Sequence, residues 1–310
     1  MIGQTVSHYR IIDFLGSGLS GSVYSAEDLK RHRLVALKII TPELARDGSF
    51  VNRLQTDLER VTEIDHPGIP RVYEQGLHDG TRFIAMQLLD GQTLESRIKA
   101  GPLPMTFAVQ VGSDVAEALM EAHEKGLIHR DVKPANIVIT SNGVKLLGLG
   151  LTPDKEIAGS TSRDYYLSPE QALGQPLGPE SDIFSLGIIL YEIVTRQRPF
   201  SGEKASTIRN AIAYGAYEPA TVSVPTLPQS LDKVITKSLQ RDPALRYASA
   251  RELLADLREA GRDLNALILA RAPLTRRRRR HFGTLLPTAA TILVLALVWL
   301  LWQALKDKLG

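Results

Sequence analysis

The segment His129-Arg130-Asp131-Val132-Lys133-Pro134-Ala135-Asn136 sets a carboxylate, an ammonium two residues later and a carboxamide five residues later, just after a long helical stretch. Two other segments hold groups that could act with it on a phosphate. Gly16-Ser17-Gly18-Leu19-Ser20-Gly21-Ser22-Val23 lies between two strand-like runs, and glycines at these spacings let a backbone turn sharply and approach phosphate oxygens closely. Alone it is a common hairpin pattern. Dinucleotide folds use a similar string before a helix, and the strand that follows it here argues against that use. Val35-Ala36-Leu37-Lys38 puts a lysine on the next strand, where it could meet phosphates or simply face solvent.

These groups need elements to position them. Short β-prone runs at Tyr9–Phe14, Val23–Asp28, Leu34–Ile40, Arg71–Gln75 and Arg82–Leu88 predict strands. One helix interrupts them over Phe50–Ile64, with apolar residues at Leu54, Leu58, Val61 and Ile64. From Thr93 onward helices dominate: Met105–Lys125 is long and amphipathic, Asp182–Thr195 is almost wholly apolar and predicted buried, and Leu231–Leu239 and Ala250–Ala260 close the domain. A strand-rich first part and a helix-rich second part predict an α+β, two-lobed architecture with a cleft between the lobes. No internal repeat is visible.

Charge separates the body from the tail. Residues 271–310 carry eight Arg/Lys and one Asp, a net of +7, so with a whole-chain charge of +3 the first 270 residues carry 3 − 7 = −4. An acidic body is a poor nucleic-acid surface, and no nucleic-acid partner is expected. The chain has no cysteine, which excludes disulfides and thiolate metal sites.

Taken in order, the three segments resemble protein kinases, and the match extends from about Tyr9 to Ala260. Met86-Gln87-Leu88 looks like the gatekeeper and hinge that hold an adenine ring. Ser168-Pro169-Glu170 matches the end of an activation segment, with Glu170 paired to Arg246, and Ser181–Gly187 looks like the helix that anchors the catalytic loop. Tyr166–Gln171 is most similar to membrane-anchored bacterial (Hanks-type) serine/threonine kinases. The resemblance implies a bilobal fold over residues 9–262, with lobes 9–88 and 89–262. It also implies ATP and Mg²⁺ as cofactors and a protein as substrate or partner. Asp131 would accept the substrate hydroxyl proton, Lys133 steady the transferred phosphate and Asn136 ligate the metal. Gly16, Gly18, Gly21, Val23, Ala36, Lys38, Asp57, Met86, Leu88 and Val138 would surround the nucleotide.

Three positions depart from the family's pattern. Leu147-Gly148-Leu149-Gly150 stands where Asp-Phe-Gly is expected, so Gly148 supplies no carboxylate to a metal, and the nearest downstream acid, Asp154, requires a rearranged segment. Counted back from His66-Pro67, the helix glutamate that would pair with Lys38 is Asp57, one methylene shorter. Aligned on Tyr166, the threonine that would contact Asp131 is Arg163. Ser160, Thr161 and Ser162 could be phosphorylated and pair with Arg130, although a hydroxyl-rich loop is the simpler reading.

The tail is expected to anchor the chain. Phe282–Leu305 is an uncharged run of 24 residues, preceded by Arg276–Arg280 and holding Trp299 and Trp302 near its far end. A helix of that length reaches roughly 36 Å, against a hydrocarbon core of about 30 Å. The arginines place residues 1–281 in the cytoplasm, with 263–281 as a basic linker and 306–310 as a short tail. The first ten residues lack the apolar stretch of a signal peptide. Three functional readings stay open: a membrane-tethered ATP-binding protein of impaired phosphotransfer acting as a switch or docking module, an active kinase with atypical metal use, and an inert membrane scaffold.

Overall fold

A computed structural model of the chain describes residues 1–18, 20–152, 161–271 and 289–306. Residues 1–270 form one compact unit. Its first part holds strands β1 (Thr5–Val6), β2 (Tyr9–Gly18), β3 (Gly21–Asp28) and β4 (Arg33–Ile40), helices α1 (Pro42–Arg46) and α2 (Gly48–Thr62), then β5 (Val72–His78) and β6 (Thr81–Gln87). The second part runs through β7 (Gly91–Thr93), α3 (Leu94–Ala100), α4 (Met105–Glu124), β8 (Ile137–Thr140), β9 (Gly143–Leu146), α5 (Thr161–Asp164), α6 (Pro169–Ala172) and α7 (Pro179–Thr195). Helices α8 (Ala205–Tyr214), α9 (Ala220–Ser223), α10 (Gln229–Ser238) and α11 (Ala250–Arg271) complete it. The strand-rich and helix-rich parts expected from the sequence are both present. The helix α11 continues to Arg271, so the first part of the stretch expected to be a linker is helical.

The first sheet has strand order β1-β2-β3-β4-β6-β5, all antiparallel. Register sorts its residues onto two faces. Val23 lies opposite Lys38, Lys38 opposite Ile84 and Ala36 opposite Met86, so these five side chains share one face. Tyr9, Ile11, Ala26, Val35, Leu37, Phe83 and Ala85 alternate onto the other face, where they form one buried cluster.

Helix α2 covers part of the first face. Its N-terminus is capped by the Asp47 carboxylate, which accepts from Ser49 N at 3.0 Å and Phe50 N at 3.2 Å. Phe50, Leu54, Leu58 and Val61 make its buried stripe, and Phe50, Leu54 and Leu58 pack with Ile40, Ile84 and Leu151. Asp57 is the one acidic residue on that stripe.

The helical part is built on α7, which is buried along nearly its whole length and packs on α4 and α10. A second sheet, β7-β8-β9, sets Val138 opposite Thr93 and Lys145. The catalytic-type loop leads into β8 and the 147–150 turn leaves β9, and the pairing of Ile137 with Leu146 brings both to one end of this small sheet, where Leu147 N donates to the Asn136 carbonyl at 2.7 Å.

Residues 271–310 form a separate unit, in which the described helix is α12 (Ala289–Lys306), 18 residues long. Among the described residues no helix is long and apolar enough to cross a membrane. The first residues of the apolar run expected to span, 282–288, lie outside the described residues.

Candidate active site

The catalytic-type loop is held from below by Asp182 on α7. Its carboxylate accepts from the backbone amides of His129 at 2.8 Å and Arg130 at 2.9 Å, and from His123 Nε2 at 2.9 Å. Three donors and full burial explain the outcome: burial pushes the Asp182 pKa up, but the His123 hydrogen bond and the charges and amide around it outweigh that and hold it below the usual range. The grip fixes Arg130 in the left-handed region at φ +67°, a conformation a non-glycine residue adopts only when its surroundings enforce it. Gln171 Nε2 donates to the Arg130 carbonyl at 2.8 Å and completes the restraint.

His129 is fully enclosed. Its Nε2 donates to the Leu147 carbonyl at 2.8 Å while its Nδ1 accepts from Asp131 N at 3.3 Å, so one neutral tautomer satisfies both contacts, and burial lowers its pKa in agreement. This ring ties the loop to the 147–150 turn.

Above that frame Asp131, Lys133 and Asn136 converge. Lys133 Nζ is 2.7 Å from Asp131 Oδ2, and Asn136 Nδ2 donates to the same oxygen at 2.9 Å and to the Asp131 carbonyl at 2.8 Å. The other oxygen, Oδ1, faces Arg163 Nε at 3.3 Å. The alignment on Tyr166 therefore located Arg163 correctly: the short helix α5 carries a guanidinium onto the carboxylate. Both oxygens of Asp131 are engaged by cations or donors of the chain itself.

Lys38 comes to the same place from the sheet. Desolvation in the cleft lowers its pKa to about 8; Asp131 acts in the opposite sense and Lys133 in the same sense. Among the described residues, Asp131 is the one anion that acts on Lys38.

The expected Lys38–Asp57 pair is not formed. Among the described residues no ion pair joins them, and Asp57 lies between Arg130 Nη1 at 3.7 Å and Arg53 Nε at 3.8 Å. Burial pushes the Asp57 carboxyl up, and Arg130, Arg53 and Arg60 pull it back. Two features explain the changed partner. The aspartate is short, and Arg53 sits one helical turn before it on the same face. Arg53 also donates to the Thr152 carbonyl at 2.6 Å, so α2 is stitched to the residues after the 147–150 turn. The sequence already held this signal in the Arg53/Asp57 spacing.

The glycines divide by role. Gly16, Gly18 and Gly21 lie in the β2–β3 hairpin, with Gly16 opposite Val23 and Gly18 opposite Gly21. A Cβ at Gly16 or Gly18 would meet nothing within 4 Å, so their faces are open, whereas one at Gly21 would sit 1.8 Å from the Ile39 carbonyl oxygen. Gly21 is needed by the close approach of β3 to β4. Val23, Ala36 and Met86 share the Lys38 face described above, Val138 is buried on β8, and Leu88 follows the end of β6. Val23, Ala36 and Met86 thus form an apolar patch beside Lys38 on one face of the sheet, and the hairpin backbone at Gly16 and Gly18 is open.

A divalent cation fits poorly. Magnesium takes carboxylate ligands together with phosphate oxygens. Gly148 has φ +94° and offers none, although a Cβ built on it would lie 3.6 Å from Asn136 Nδ2, so the position does face the Asn136 side. Both oxygens of Asp131 already face cations of the chain. Among the described residues no group of three or more His, Cys, Asp or Glu could hold a metal ion. Asp154 and Ser160 lie outside the described residues, as do the side chains of Thr161 and Ser162.

The remaining expected contact is present in full. Arg246 donates from Nη1 and Nη2 to the two oxygens of Glu170 at 2.8 and 2.9 Å, and Ser181 Oγ donates to Glu170 at 2.6 Å, all within the core.

Residues 9–257 match the family model of the protein kinase domain. The chain is 35% identical over 272 residues to the serine/threonine-protein kinase PrkC of Bacillus subtilis, a match that covers 84% of this chain and 42% of that protein. It is 36% identical over 264 residues to PknB of Mycobacterium leprae, covering 80% and 42%. The chain thus spans less than half the length of these relatives. Among solved structures, the PknI kinase domain of Mycobacterium tuberculosis superposes with a TM-score of 0.70 at 27% identity, covering 84% of this chain and 98% of that one.

Proposed function

The chain belongs to the protein kinase family, and from that premise we propose that it is a membrane-tethered, ATP-binding member that transfers phosphate poorly or not at all and signals through its conformation or its partners. By family it is a serine/threonine protein kinase with a bilobal fold. One observation carries the reading of impaired chemistry. The carboxylate that should receive a substrate hydroxyl is closed off, Oδ1 by Arg163 at 3.3 Å and Oδ2 by Lys133 at 2.7 Å, while position 148 has no side chain. The binding elements survive beside it: an open glycine hairpin, Lys38 and an apolar face for a ring.

An active enzyme with atypical metal use is the second reading. Asp131, Lys133 and Asn136 favour it, because all three occupy one cluster. It requires α5 to withdraw Arg163.

Tethering rests on the sequence of the tail. Helix α12 reaches about 27 Å as described, short of a hydrocarbon core of about 30 Å, and the uncharged run in the sequence is six residues longer than this helix. The arginine run beside them supports a cytoplasmic kinase-like domain.

Two measurements test the proposal on the full chain. Millimolar ATP is expected to raise the melting temperature, since a ligand that binds only the folded state stabilises it. Carbonate-washed membranes are expected to retain the protein. No thermal shift at saturating ATP would favour an inert scaffold, and release by carbonate would remove the anchor.

A further inference from the structure

The charge balance of the cleft is inverted relative to what a metal-bound nucleotide needs. Among the described residues, Lys38, Lys133 and Arg163 bring three cations to a cluster in which Asp131 is the one anion acting on Lys38. Two carboxylates that could offset them are missing from it: position 148 is glycine, and Asp57 faces Arg130 and Arg53. A divalent cation entering here meets repulsion and finds Asn136 as its one side-chain oxygen ligand of the expected pair. A triphosphate meets the opposite, an excess of positive charge in a low-dielectric cleft.

Arg163 has the geometry for that role. It is largely enclosed, with its side chain 14% exposed, and its Nε is buried without a hydrogen-bond partner among the described residues, close to Asp131 but poorly aligned with it. A planar guanidinium so placed has donors for phosphate oxygens that an ammonium lacks.

We propose that this cleft takes a nucleoside triphosphate without a divalent cation, with Lys38, Lys133 and Arg163 as its counter-charges, Arg163 standing in for the metal. The inference rests on the reading that the cleft binds a nucleotide, and it makes Arg163 a binding residue as well as an obstacle to transfer. A guanidinium that bonds phosphate oxygens has a second partner besides Asp131, so arrival of the nucleotide gives α5 a reason to keep its place.

The test is ATP affinity by titration calorimetry on the full chain in detergent micelles, once in EDTA and once in excess Mg²⁺. The wild-type chain should bind ATP in EDTA as tightly as in Mg²⁺ or more tightly. Arg163→Gln should weaken binding in EDTA by about tenfold, the effect of one charge-assisted contact, and Arg163→Lys, which keeps the charge and loses the planar fork, should fall between Arg163→Gln and wild type. Melting of each variant without nucleotide checks that it folds, and the wild-type comparison stands if a variant does not. Tightening of wild-type binding by tenfold or more on adding Mg²⁺ overturns the inference and leaves nucleotide binding intact. Unchanged EDTA affinity in a folded Arg163→Gln overturns the role of Arg163. Absence of binding in both buffers overturns this inference together with the ATP-binding reading.

Discussion

Gly148→Asp restores the residue type that the family pattern expects, and the structure allows its consequences to be worked out. A Cβ at 148 meets Asn136 Nδ2 at 3.6 Å, His129 Cε1 at 3.7 Å and Asn136 Cγ at 3.9 Å, all ordinary contacts, so packing adds no penalty. The backbone does: at φ +94° an L residue is strained by about 1–2 kcal/mol. At about 2–4 °C per kcal/mol for a domain of this size, the melting temperature should fall by about 2–8 °C. In exchange the new carboxylate faces Asn136 and gives the cleft a second side-chain oxygen ligand. The ATP affinity measured by calorimetry should then become dependent on Mg²⁺, tightening by about tenfold when the metal is added. Phosphate transfer should recover by less than the roughly 10²- to 10⁴-fold that such electrostatic stabilisation supplies, because Arg163 still covers Asp131. The double variant Gly148→Asp/Arg163→Thr should exceed the product of the two single effects, the signature of two lesions in one site. Unchanged Mg²⁺ dependence in a folded Gly148→Asp would refute the placement of position 148 beside the phosphates.

Two further outcomes follow from the same contacts. Glu170→Ala leaves the buried Arg246 without its counter-charge, held only by the Glu180, Gln240 and Arg241 carbonyls, which costs about 3–5 kcal/mol and should lower the melting temperature by about 6–20 °C with little change in the cleft. ATP affinity should depend on pH through Lys38: its pKa in the free protein is about 8, and bound phosphates favour the ammonium and raise it. Binding is then strongest below pH about 8 and weakens above it, up to tenfold per pH unit, as the free lysine loses its proton. Lys38→Arg, which keeps its charge, should flatten that slope; a slope unchanged by the substitution would assign the titration to another group.

Much of this site is visible in the sequence because its parts are local. His129 to Asn136 is one continuous segment, and the strand carrying Lys38 announces itself by β-branched and apolar residues. The Glu170–Arg246 pair could be named from the motifs that flank it. The partner of Asp57 could not be settled by counting, because it depends on where α2 docks and on the left-handed Arg130 that Asp182 enforces. Strands β7, β8 and β9 are three or four residues each, too short for an alternating pattern to register, and they align by pairing with one another rather than by composition. The helix α11 outruns its predicted end because Leu264 still packs on the core while the residues between are polar. In the sequence, alignment on Tyr166 is the one sign that points to Arg163. That its guanidinium faces the carboxylate follows from α5, a single helical turn that no periodicity could reveal.

On the proposed function, the cleft kept its nucleotide site and lost its chemistry. This is tested most directly by transfer of labelled γ-phosphate from ATP to a generic protein substrate, comparing the full chain with Asp131→Asn at saturating ATP and Mg²⁺. The two are expected to give the same signal, at the level of a no-enzyme control. Robust transfer by the wild-type chain that Asp131→Asn abolishes would contradict the account.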